Sequence, residues 1–102
     1  MMNNIVNTAN KDELSELLSS VNDPKQMSLL LTDLLTKKEI DEIATRLSAA
    51  RMLIGGCSYL TVEEKTGLSS RTIARINKWI KNGSGAYKNV LSSHSHIKPV
   101  SR

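Results

Sequence analysis

The sequence predicts an all-α fold, a small helical bundle carrying a helix-turn-helix, and three observations predict it. Leu, Ile, Val and Ala recur at spacings of three and four residues along most of the chain, the period of a helix with one buried face. Helix-start residues stand just ahead of these runs, at Asn10, Asp23, Thr36, Ser58 and Ser69 or Ser70. Only 3% of the residues are aromatic and none is Phe, so the core must be built from Leu, Ile, Val, Ala and Met, a mix that favours helices. At 102 residues the chain is one small domain with a thin core, which a partner subunit would help to complete.

Taken in order, residues 1–9 show no periodic pattern and are expected to be disordered, with the helical domain running over 10–91. Asn10 and Glu13 mark the start of a first amphipathic helix, about 11–20, with Leu14, Leu17, Leu18 and Val21 on its apolar side. Asp23 caps the next helix, and Pro24 takes its first position, where no N–H is needed. That helix should reach about Leu35. Met27, Leu29, Leu30, Leu31, Leu34 and Leu35 cover more than one of its faces, which implies burial on more than one side and therefore against a second subunit. Thr36 and Glu39 form a capping box for a third helix, extending to about Ile54. Its seam is Ile40, Ile43, Leu47, Ala50 and Ile54, with Ala44, Ala49 and Ala50 allowing close approach. Gly55 and Gly56 end it.

The stretch from Ser58 to Asn82 organises the rest. Gly67 supplies the residue able to take positive φ between two helices that cross steeply. Val62 before the turn, and Leu68, Ile73 and Ile76 after it, give the two helices one shared core. Thr61 and Glu64 form a competing capping box, three residues inside the start marked by Ser58. Ser69 or Ser70 caps the second helix. Its polar face then carries Ser70, Arg71, Thr72, Arg75 and Lys78, with Lys81 beyond. In such a motif the first residues of the second helix meet base edges and flanking donors hold phosphates. Glu63 stands where the first helix normally has a small residue. The plain alternative is a helical hairpin with a glycine turn and no nucleic-acid role.

Charge is distributed unevenly. Residues 1–45 hold eight of the ten acids and four of the fourteen Lys and Arg, so the basic half of this +4 chain is the half with the helix-turn-helix. A surface facing a polyanion would look like this. Cys57 is the single cysteine, so no intrachain disulfide can form, and a reducing cytoplasm, or association with the nucleoid, is expected. No run is long enough to span a bilayer, so no membrane partner is expected.

After Lys81 the glycine-rich NGSGAY cannot remain helical, and a short last helix is expected over about 87–91. The 92–102 tail is polar and is expected to be disordered. Its His94 and His96 are two apart, whereas metal ligands on one helix face sit three or four apart and need further partners. Glu39, Asp41 and Glu42 read as a helix start favoured by the macrodipole rather than as a catalytic pair. No phosphate-binding glycine loop or placed catalytic triad is present, so neither an enzyme nor a cofactor or metal is expected. Trp79 and Tyr87 read as core plugs before base-stacking platforms.

Together LLTKKEIDEIATRL, EEKTGLSSRTIARIN and NGSGAY resemble the Trp repressor superfamily, and more closely its YerC/YecD-type branch, whose members carry a similar glycine-rich G-S-G-x-Y segment. The resemblance covers roughly Leu29 to Tyr87. It implies a Trp-repressor-like bundle, an intertwined homodimer with two heads that bind double-stranded DNA. In the tryptophan-sensing members two arginines clamp the corepressor, and the matching positions here are Arg46 and Arg75. A guanidinium pair suits a small carboxylate effector. Trp79 falls where those members have a serine that holds the amino group, and Thr36, which matches a pocket-lining threonine, is equally explained as a helix cap. For Arg46 and Arg75 the plain reading is phosphate contact or an ion pair. The expected function is a dimeric, sequence-specific DNA-binding regulator, a repressor in the first instance, with Ser69, Ser70, Arg71, Thr72, Arg75, Lys78 and Lys81 at the DNA. The alternatives are an amino-acid-responsive repressor and a helical protein-interaction module without specific DNA binding.

Overall fold

Six helices follow one another in a computed structural model that describes residues 2–93, with side chains from Asn10 to Ser92. They are α1 (Met2–Ser20), α2 (Pro24–Leu34), α3 (Lys37–Ile54), α4 (Tyr59–Thr66), α5 (Ser70–Asn82) and α6 (Ala86–Ser93). Among the described residues there is no strand. Residues 94–102, with His94, His96 and most of the expected tail, lie outside the described residues. The chain divides into two compact units, one ending at Ile40 and the other beginning at Asp41.

In the first unit the local signals act as the sequence implies. Asp23 accepts a hydrogen bond from the Lys25 N–H at 3.3 Å and Pro24 opens α2. The capping box is reciprocal: the Glu39 N–H donates to Thr36 Oγ1 at 3.1 Å, and the Thr36 N–H donates to Glu39 Oε1 at 2.9 Å. Helix α1 begins well before the expected start near residue 11. Once a helix is nucleated, each added residue gains a backbone hydrogen bond, so it can propagate toward the N-terminus without an apolar period to announce it. From Asn10 to Ile40 no side chain is buried, and Leu29 is 64% exposed.

The second unit holds the core, formed by Ala49, Ala50, Met52, Val62, Ile73, Ile76 and Ile80. Leu53, Ile54, Cys57, Leu68, Tyr87 and Leu91 pack against it, partly buried. The seam of α3 differs from expectation. Its core contacts lie toward its C-terminal end, where Ala49 and Ala50 are fully buried, while Ile43 and Leu47 remain 43% and 40% exposed. The alanines admit neighbours close to the α3 backbone there. The larger residues one and two turns earlier stay uncovered.

Helices α4 and α5 form the helix-turn-helix. Ser58, and not Thr61, starts α4: its Oγ accepts from the Thr61 N–H at 3.1 Å. The inner capping box is thereby displaced, because the Thr61 N–H already lies in the capped first turn. At the turn Gly67 takes φ 77°, a left-handed conformation that a side chain would strain. Thr66 ties the turn on both sides, donating to the Val62 carbonyl at 2.7 Å and accepting from the Leu68 N–H at 3.2 Å. Ser69, rather than Ser70, caps α5. Gly83 then ends α5 for a different reason, since a Cβ built there would lie 2.5 Å from the Trp79 carbonyl oxygen. Helix α6 starts one residue before the expected Tyr87.

Candidate nucleic-acid interface

Helix α5 has two sharply different sides. Ile73, Ile76 and Ile80 are buried at spacings of three and four, and burying each such side chain contributes about 1.5–3 kcal/mol. Those spacings fix the helix rotation, so the residues on the opposite side must face outward. Arg71, Arg75, Lys78 and Lys81 are all exposed. There is no acid in the first turn of α5, and Arg71 sits there instead. A cation at a helix N-terminus opposes the macrodipole.

The serines and threonine at the start of α5 have a more local geometry. Ser69 Oγ accepts from the Thr72 N–H and donates to Thr72 Oγ1, both at 3.2 Å. Thr72 is half-buried, with its hydroxyl tied to the cap, whereas Ser70 is exposed. The cap thus orders the turn that presents Ser70 and Arg71.

Between α4 and α5 runs a side-chain hydrogen bond that the sequence does not announce. Asn77 Nδ2 donates to the Tyr59 hydroxyl at 3.1 Å. The two residues are 18 apart, so no helical spacing or local motif links them.

On the other flank, Trp79 stands beside a cavity of about 460 Å³ lined by Leu47, Trp79, Gly83, Ser84, Ala86, Tyr87, Val90 and Leu91. Trp79 is 46% exposed, so it walls an open cavity and does not plug a core; Tyr87 packs against the core from the side. The break between α5, which ends at Asn82, and α6, which starts at Ala86, lies along this cavity. Arg46 and Arg75 are exposed and neither lines this cavity. Thr36 serves as the α3 cap. Among the described residues no helix is long and apolar enough to cross a membrane.

Known proteins share the family and the fold of this chain. The family model described as Trp repressor protein matches residues 9–95. A relative in Bacillus subtilis (strain 168), named Uncharacterized protein YerC, is 36% identical over 80 residues, which span 78% of this chain and 77% of the relative. A solved TrpR-like protein from Eubacterium eligens ATCC 27750 superposes with a TM-score of 0.81 at 28% identity, covering 93% of this chain and 98% of that one. A solved candidate Trp repressor from Staphylococcus aureus gives 0.78 at 30% identity, with 89% and 90% covered.

Proposed function

The chain belongs to the Trp repressor family, in its YerC-like branch, and from that premise we propose that it is a sequence-specific transcriptional regulator that binds double-stranded DNA as a homodimer. Repression is the expected direction of control. The observation that carries the proposal is the two-sidedness of α5: three buried isoleucines hold the helix while its exposed side carries Arg71, Arg75, Lys78 and Lys81. Arg71, with Thr72, is assigned to base edges at the N-terminal end of the recognition helix, and Ser70, Arg75, Lys78 and Lys81 to the sugar-phosphate backbone, while Ser69, whose hydroxyl hydrogen goes to Thr72, orders the turn that presents them.

Selection of preferred duplexes from a random pool at physiological salt tests this reading. A recovered motif, bound at least about a thousandfold more tightly than random DNA, is the expected result. Binding that is only non-specific would defeat it and return the exposed apolar surfaces to the interaction-module reading.

A further inference from the structure

We propose that Tyr59 is a DNA-backbone contact whose hydroxyl is aimed by Asn77, so that the pair both sets the α4–α5 crossing and donates to a phosphate. This rests on the DNA-binding reading above. A tyrosine hydroxyl has one hydrogen and two lone pairs. Asn77 Nδ2 donates into one of those lone pairs, which leaves the phenolic hydrogen available for an acceptor outside the protein. Tyr59 is 39% exposed, so an outside acceptor can reach it.

The placement along α5 identifies that acceptor. Helical spacing sets Ser70, Asn77 and Lys81 on one flank, at steps of seven and four residues. Tyr59 is therefore fixed beside a flank whose other members are an exposed hydroxyl and an exposed ammonium. Donors aligned along a recognition helix at one edge of its outward face match a phosphate track better than base edges, which lie ahead of the helix. The residue also opens α4, directly after the Ser58 cap, so its backbone is held as firmly as its hydroxyl. Asn77 is a positioning residue in this arrangement, and Tyr59 makes the contact.

A neutral donor leaves a signature distinct from that of a lysine. It releases no condensed counterion, so its loss weakens binding without changing the dependence on salt. The test measures affinity of the full chain for its selected duplex and for random DNA across a salt series, in wild type, Tyr59→Phe, Asn77→Ala and the double variant. Tyr59→Phe should weaken binding to both DNAs about tenfold or more, the scale of one hydrogen bond to a charged acceptor. The salt slope should stay at the wild-type value. Asn77→Ala, which keeps the hydroxyl but frees its orientation, should lose less, and the double variant no more than Tyr59→Phe alone. The thermal midpoints of both single variants, measured beside these, show that the fold is retained.

If wild type selects a duplex and Tyr59→Phe binds it unchanged, or if the two losses simply add, the contact is refuted while the regulator reading stands. A change in salt slope on Tyr59→Phe would also refute it, because the effect would then come from displaced cations. If wild type selects no duplex, the regulator reading fails and takes this one with it.

Discussion

Arg71 and Lys78 are two cations on one exposed helix face, and under the proposed function their chemistry suits them to different tasks. A guanidinium offers a planar fork that matches the O6 and N7 acceptors of guanine, whereas an ammonium is a point charge suited to phosphate. Arg71→Ala should therefore cost about 1–3 kcal/mol on the preferred site and relax sequence preference, while Lys78→Ala should weaken all DNA alike and lower the salt slope by about one. Binding titrations on cognate and random duplexes at several salt concentrations separate the two, and equal losses on both DNAs for both variants would contradict the assignment. Arg71 also opposes the α5 dipole, since no acid shares that first turn. Its removal should leave the thermal midpoint unchanged or slightly raised, by up to about 1 kcal/mol of stability, even as DNA binding falls. At Trp79 the side chain walls an apolar cavity that neither Arg46 nor Arg75 lines, so an amino-acid carboxylate placed there would meet neither guanidinium. Calorimetry with L-tryptophan should accordingly show no saturable binding at micromolar concentration; binding abolished by Arg75→Ala would overturn this.

At the scale of the element, α5 depends on its ends as much as on its buried face. Ile73 is fully buried, and Ile73→Ala should cost about 2–5 kcal/mol in urea unfolding, through lost burial and the cavity it leaves. Gly83→Ala places a methyl 2.5 Å from the Trp79 carbonyl oxygen, a clash with backbone rather than with a movable side chain. It should destabilise by about 1–3 kcal/mol and shorten α5 or displace α6; a neutral effect in the same urea experiment would show that the turn relaxes freely. These elements were largely legible in the sequence. Caps at Asp23, Thr36 and Ser58, the left-handed Gly67 and the Val62, Ile73 and Ile76 core are local or periodic signals, and each is found where its pattern puts it. The choice of Ser58 over Thr61, and of Ser69 over Ser70, was open because both members of each pair can cap. Which part of α3 is buried was not legible, since Ile43 and Leu47 carry the same apolar period as the residues that reach the core. The Tyr59–Asn77 bond was hidden for a further reason: it depends on the crossing of two helices, which no spacing within either one encodes.

For the molecule as a whole, the distribution of exposed apolar side chains bears on assembly. Leu14, Leu17, Leu29 and Leu34 in the first unit, and Ile43, Leu47, Trp79 and Val90 in the second, are all at least 40% exposed. Single exposed leucines are ordinary, but two on each of α1 and α2, in a stretch with no buried side chain from Asn10 to Ile40, are unusual for a folded monomer. A second copy of the chain would supply the missing cover, and the proposed dimer would then present two α5 helices to successive turns of a duplex. The selected DNA should accordingly be a near-palindrome with half-sites about 34 Å apart, or a multiple of that. Leu29 gives the sharpest substitution, because in a monomer its 64% exposure would make Leu29→Lys nearly neutral, within about 0.5 kcal/mol. Within a dimer interface the same change buries an ammonium against apolar neighbours, and the protein should dissociate or unfold. Sedimentation at micromolar concentration is expected to show a dimer for wild type and a smaller or unfolded species for Leu29→Lys. A compact wild-type monomer, with the lysine variant indistinguishable from it, would rule the dimer out and leave the apolar faces of α1 and α2 to a different partner.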